Sequence, residues 1–264
     1  MSDQNINELI TNNHNQYEFK LQQYLKRGFE ICNQFVIGFI LFFLLLMLIT
    51  GAIDLLSGLG DVVNRIFVTP VLGVGVYFVA RNISRKDEFN FDQFWKGFQF
   101  ISPLIMMSLI EAAIFLLLIS PILVSGDISL YLEWYEEWQK TPLSIDSFPG
   151  FQTWYLFLLL PIVYLSIVWI YAPLLIIFYD MPAWDAMETS RKIISKQWGI
   201  FALFYFLVSI ISVSGILFFS IGILYTLPIG ACILYASFED ILDFYLKDEK
   251  GEDDIMDHLI DAFR

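Results

Sequence analysis

The chain has 264 residues, of which 57% are hydrophobic and 17% aromatic, and carries a net charge of −13. A mean hydropathy of +0.64 lies outside the range of a soluble domain, and the acidic balance argues against nucleic acid as a partner, since binding its phosphates needs a face of clustered Lys and Arg. Most of the length is needed for six long apolar stretches between Glu30 and Glu239, so no second globular domain is expected.

The first thirty or so residues are polar and Asn-rich, without a basic region next to a short apolar core. They do not read as a cleaved signal peptide, so the first apolar stretch is expected to be an uncleaved anchor. Span one is predicted at Phe35–Ile53, long enough to cross a core of roughly 30 Å. Ser57, Gly58, Gly60 and Asp61 predict a turn, and span two follows at Val62–Ala80. Asp54, Asp61 and Arg65 cluster at the outer end of this first hairpin, where an exposed ion pair would be a modest tie.

Span three is predicted at Ile101–Val124 and carries one charge, Glu111, near mid-depth. An ionised, unpaired carboxylate there is costly, so Glu111 is expected to be protonated, paired or facing a cavity. It reads either as a coupling site or as a neutral group hydrogen-bonded to Ser108 or to a carbonyl freed near a proline. The following outer loop places Leu130, Tyr131, Trp134 and Trp138 on one helical face and Glu133, Glu136 and Glu137 on another. Trp134 and Trp138 suit the headgroup belt, as a lid on the bundle or as a docking helix for a partner.

Span four falls within Ser147–Tyr179, with Phe148–Trp154 expected at the outer interface. The uncharged window from Gln197 to Phe238 is too long for one helix. It is split near Ser220–Gly222 into span five, Gly199–Phe219, and span six, Ile223–Phe238. A five-span alternative would place the tail outside, but two crossings fit the window better. Beyond Phe238 come ten Asp and Glu residues interleaved with apolar ones, among them Ile255, Leu259 and Phe263. Lys250–Asp254 is expected to interrupt the helix, with Asp253 or Asp254 capping a second one. Anionic lipid would repel this tail. It would either fold back on the basic segments or bind a separate protein.

Of fifteen Lys and Arg residues, only Arg65 and Lys140 fall in segments facing outward on this reading. That bias predicts a bacterial inner-membrane protein with both ends in the cytoplasm. Each inward-to-outward span is preceded by a segment of helical apolar spacing. These are Tyr17, Leu21, Tyr24 and Leu25 before span one, and Phe91, Phe94, Trp95 and Phe98 before span three. Trp184, Met187, Ile194 and Trp198 precede span five, with Asp180 and Pro182 as the helix start. Lys26, Arg27, Lys96, Arg191, Lys192 and Lys196 adjoin these faces, as befits helices lying over anionic headgroups. Each returning span carries a proline, Pro70, Pro173 or Pro228, whose freed carbonyl must be answered by neighbours.

The predicted fold is therefore all-α, an integral membrane six-helix bundle of three hairpins, each preceded by a cytoplasmic interfacial amphipathic helix. Residues 1–30 form the N-terminal segment, 31–246 the membrane domain and 247–264 the acidic tail. Cys32 and Cys232 sit near one predicted boundary, where neither a disulfide nor a zinc site is expected. His14 and His258 are expected to be exposed and unliganded. No metal set, nucleophile elbow or phosphate loop is present in the sequence, and no cofactor is predicted. Helix capping by Asp180, and pairing of Glu188 with Arg191 or Lys192, account for the acidic cluster around Asp185.

The stretch Pro173-Leu-Leu-Ile-Ile-Phe-Tyr-Asp180, then Trp184-Asp-Ala-Met-Glu-Thr-Ser190-Arg-Lys and Gln197-Trp198-Gly199, resembles a broad group of poorly characterised bacterial inner-membrane proteins. So does Phe91-Asp-Gln-Phe-Trp-Lys-Gly-Phe98. That group is related to the membrane domain of some glycerophosphodiester phosphodiesterases, and the likeness covers about Lys26 to Leu246. It implies a six-helix membrane bundle and offers no established activity; no fused catalytic domain is expected, so phosphodiesterase chemistry is not carried over. The sequence thus predicts a non-enzymatic accessory or scaffold protein that binds membrane lipids and a protein partner. The alternative is a small transporter or lipid-handling protein with Glu111 in a cavity.

Overall fold

The computed structural model describes residues 17–56, 59–125, 127–140, 153–217 and 222–262, with side chains for all of these except 56, 127, 128, 139 and 245–262. The expectations for His14, Ser57, Gly58, Phe148–Gln152, His258 and Phe263 therefore lie outside what is described. The described residues are helical, with no strand among them. Among the described residues, five helical segments are long and apolar enough to cross a membrane: Val36–Leu55, Gly60–Arg85, Phe91–Ser125, Tyr155–Tyr179 and Trp198–Leu217. The described residues fall into two compact units, one drawn from Met1–Ser108 and Val168–Arg264, the other from Leu109–Ile167.

Helix α1 (Leu21–Gln34) is amphipathic and buries Tyr24, Gly28, Ile31 and Cys32. It ends at Phe35, after which α2 (Val36–Leu56) begins. The next span, α3 (Gly60–Arg85), is not uniform, because Asn64–Val68 forms a π-turn ahead of Thr69 and Pro70. Pro70 has no N–H, and the wider turn lets the Thr69 N–H reach the Asn64 carbonyl. Lys86, with φ 60°, closes α3 in the left-handed region.

The segment Phe91–Phe100 is a 3-10 helix that leads into α4 (Ile101–Ser125). This corrects the expected α-helical face of Phe91, Phe94, Trp95 and Phe98. A 3-10 helix repeats every three residues, so Phe91, Phe94, Gly97 and Phe100 share a face. Phe94 is fully buried and stacks on Phe42 with ring centres 4.2 Å apart. Two glycines make this packing possible. A Cβ on Gly75 would lie 2.0 Å from the Phe94 carbonyl oxygen, and one on Gly97 would lie 2.0 Å from that of Val71.

In the smaller unit, α5 (Asp127–Lys140) carries Trp134 and Trp138 with their rings stacked at 6.4 Å. Helix α6 (Tyr155–Val168) follows. In the larger unit, α7 (Ala172–Tyr179) ends at Asp180, whose φ of 54° makes it a left-handed C-terminal residue. Asp180 thus closes α7 and does not cap the following helix, as the sequence had suggested. Pro182 takes the capping position of α8 (Ala183–Ser195). Helix α8 buries Met187 and Ile194 but leaves Trp184 59% exposed, and Trp198, the first residue of the next helix, is 40% exposed.

Helix α9 (Trp198–Val213) continues through a short 3-10 turn, Ser214–Leu217, and meets α10 (Ile223–Ala262). The two run antiparallel: Gly215 packs on Gly222 and Ile223, Gly230 packs on Ser212, and Thr226 Oγ1 donates to the Ser212 carbonyl at 2.7 Å. Helix α10 passes unbroken through Lys250–Asp254, which corrects the expected interruption and second cap. One glycine in a helix interior costs about 0.5–1 kcal/mol, too little to stop a helix alone.

Candidate functional site

The polar groups of the larger unit gather where α10 changes from apolar to acidic. Glu239 and Asp240 follow directly after Phe238, and each is held by a different part of the chain. The hydroxyls of Tyr17 and Tyr24 both donate to Asp240 Oδ2, Tyr24 at 2.9 Å, and the two hydroxyls also meet each other. Lys20 Nζ completes the set at 3.2 Å. Burial, and then the bond to Asp240, push the Tyr24 phenol well above the ordinary tyrosine range.

Glu239 accepts from the Ser84 hydroxyl through one oxygen and from Tyr235 at 2.9 Å through the other. Arg85 stands 3.8 Å away as its ion pair. Arg27 donates to the Ser84 carbonyl at 2.9 Å and pairs with Glu30. The neighbouring Arg81 lies over the Phe178 ring, 4.6 Å from its centre. The middle of α10 is thus clasped by α1, α3 and the strap Tyr17–Lys20, which Gln197 Nε2 anchors at the Tyr17 carbonyl at 2.7 Å.

Close helix approach supports this clasp. A Cβ on Gly28 would sit 2.6 Å from the Ile233 backbone, so α1 and α10 touch nearly main chain to main chain. Cys32 and Cys232 are both fully buried near this contact as free thiols. Beside the contact a cavity of about 390 Å³ opens between α1 and α10. Gln23, Tyr24, Lys26, Arg27 and Glu30 line one side, and Ala236, Glu239, Asp240 and Asp243 the other. A second cavity of about 320 Å³ lies among apolar residues, including Phe43, Pro70, Tyr77, Met107, Pro173 and Leu234.

The residues singled out from sequence fall into separate places. Lys26 and Arg27 line the polar cavity, while Trp95 is half-buried and Lys96 exposed on the 3-10 segment. On α8, Arg191 makes two bonds of 2.7 Å to Glu188, which hold that carboxylate below its usual range. Lys192 is half-buried and Lys196 exposed on the same stretch, where partial desolvation by its neighbours lowers the Lys196 ammonium. Ser108 donates to the Leu104 carbonyl at 3.1 Å. Glu111 belongs to the smaller unit and lines neither cavity. At the other end of α3, Arg65 pairs with Asp61 at 2.9 Å, both exposed, whereas Asp54 accepts from Asn64. Ile255 and Leu259 lie on the α10 backbone, their side chains outside the described set.

Sequence reading missed Glu239 and Asp240 as an anchoring pair. Apart from Tyr235, their partners lie 154 to 223 residues away, and no local spacing encodes such a meeting. The available hint was two adjacent carboxylates at the edge of an apolar helix. Among the described residues no group of three or more His, Cys, Asp and Glu could hold a metal ion. No protein-family model, curated protein or solved structure matches the chain.

Proposed function

We propose that the chain is a non-enzymatic accessory or scaffold protein of a bacterial cytoplasmic membrane. Its basic amphipathic segments hold lipids, and the acidic arm or α5 engages a protein partner. One observation carries this reading: α10 runs unbroken from its apolar part through the acidic sequence, and its root is clasped at Glu239 and Asp240. Without a break, the backbone beyond Phe244 continues the helix axis past the clasp. At 1.5 Å per residue the stretch 245–262 extends roughly 27 Å, which suits an arm that meets a separate protein.

The six-span, three-hairpin arrangement belongs to the same proposal. The uncharged part of α10, Ile223–Phe238, covers only about 24 Å. A short span is accommodated by local thinning or by interfacial residues at its ends.

Truncation after Leu246, followed by native mass spectrometry of gently extracted protein, tests the reading. A stoichiometric companion that is lost from the truncated chain, with thermal stability unchanged, is the expected result. No companion on the full-length chain, or the same companion on both, would remove the arm from the function.

A further inference from the structure

We propose that the cavity between α1 and α10 binds the headgroup of a zwitterionic phospholipid bearing a primary ammonium. Its phosphate would lie against Lys26 and Arg27, and its ammonium against Asp243. The proposal rests on the lipid-binding half of the function above.

The position comes first. Ala236 lies on the cavity wall two residues before the apolar part of α10 ends, and Glu239, Asp240 and Asp243 continue that wall. The cavity therefore spans the change from apolar to charged surface, which is where a lipid headgroup sits. Phe29 on α1 is 37% exposed beside it and offers apolar surface to the chains.

Charge accounting selects the ligand. Six charged side chains line the cavity. Asp240 is paired with Lys20, Glu239 with Arg85, and Arg27 with Glu30. Lys26 and Asp243 are exposed and make no ion pair or hydrogen bond among the described residues. One cation and one carboxylate without an ion pair thus face a shared space, Asp243 also bordering a small cavity that Arg81 and Arg85 line. A purely anionic headgroup would meet four carboxylates against two cations, and a simple cation would meet Lys26 and Arg27. A zwitterion answers both charges. The carboxylate favours a primary ammonium, which donates hydrogen bonds, over a quaternary one, which needs an aromatic cage. Tyr24 is the single aromatic residue on this lining.

The test uses the full chain in detergent, with native mass spectrometry against phosphatidylethanolamine, phosphatidylglycerol and phosphatidylcholine of identical acyl chains. Soluble glycerophosphoethanolamine forms a fourth arm. Phosphatidylethanolamine should be retained roughly three- to fivefold better than the other two lipids, as one partly exposed charge pair allows. Asp243→Asn should erase that preference, and Lys26→Gln should weaken retention of all three. Both residues are exposed, so an unchanged melting temperature confirms the fold. Equal retention of the three lipids, or a preference that survives Asp243→Asn, overturns the proposal. Soluble glycerophosphoethanolamine bound as well as the lipid would overturn the lipid source. A lost lipid preference in a chain that still captures its companion refutes this site and leaves the scaffold reading standing.

Discussion

Ser190 answers the break in the span Tyr155–Tyr179. Pro173 lacks the N–H that would return to the Trp169 carbonyl, so the chain turns at Trp169–Tyr171 before α7. The Ser190 hydroxyl donates to the Val168 carbonyl at 2.6 Å and accepts from the Tyr171 N–H at 3.2 Å. Ser190 is fully buried, so Ser190→Ala leaves two backbone groups without those bonds and should cost about 1–3 kcal/mol. The exposed Ser166 only bonds back to Ile162 within its own helix, and Ser166→Ala should stay within about 0.5 kcal/mol. Equal melting of the two variants in detergent would deny Ser190 this role. Tyr24 gives a pH-dependent counterpart. The folded chain keeps its phenol protonated at a pH where the unfolded chain loses it. Its contribution is therefore complete below about pH 10 and falls as the pH rises beyond that. Between pH 8 and 10.5 the wild type should lose more melting temperature than Tyr24→Phe; parallel losses would place the alkaline sensitivity elsewhere.

Helix pairing in this chain depends on which glycines touch a neighbour. Gly28 lies against the Ile233 backbone, whereas Gly51, inside α2, has nothing within 4 Å of an added Cβ. Gly28→Ala must push α1 from α10 and should destabilise by about 1–3 kcal/mol. Gly51→Ala should stabilise by about 0.5–1 kcal/mol through helix propensity alone. Opposite signs in a chemical denaturation series are expected, and a shared sign would show that the close contact is not a packing constraint. Uncharged length made the existence of most elements readable: the predicted spans at Ile101–Val124 and Gly199–Phe219 have counterparts in α4 and α9. The 3-10 segment was also written in the sequence, as aromatic or glycine residues at 91, 94, 97 and 100, but it was read with a helical period of 3.6. The clasp was not legible at all. Asp240 meets Lys20 across 220 residues, and such a meeting follows from how helices pack, which local patterns do not record.

For the whole molecule, the sidedness of the basic residues and the length of α10 make separate demands. Thirteen of fifteen Lys and Arg residues lie in segments that share one side if the chain crosses six times. The apolar part of α10 is short for a full crossing, and if it does not cross, the acidic arm faces away from α1. The clasp argues for the first case. Lys20 precedes the first span and Asp240 follows the last apolar stretch, yet they sit 3.2 Å apart, which supports our proposal that the two ends of the chain emerge on one side of the membrane. Six crossings satisfy this contact and the charge bias together; five would require Tyr17–Lys20 to reach through the apolar layer. Single cysteines at Glu18, Glu133 and Glu249 separate the two topologies, and Cys32 and Cys232 can stay because both are fully buried. With a membrane-impermeant maleimide on spheroplasts of a bacterial host, Glu133→Cys should react at once. Glu18→Cys and Glu249→Cys should react only after lysis. Labelling of Glu249→Cys in intact spheroplasts, with Glu18→Cys still protected, would mean five crossings and would dissolve the contact between Lys20 and Asp240 on which the clasp depends.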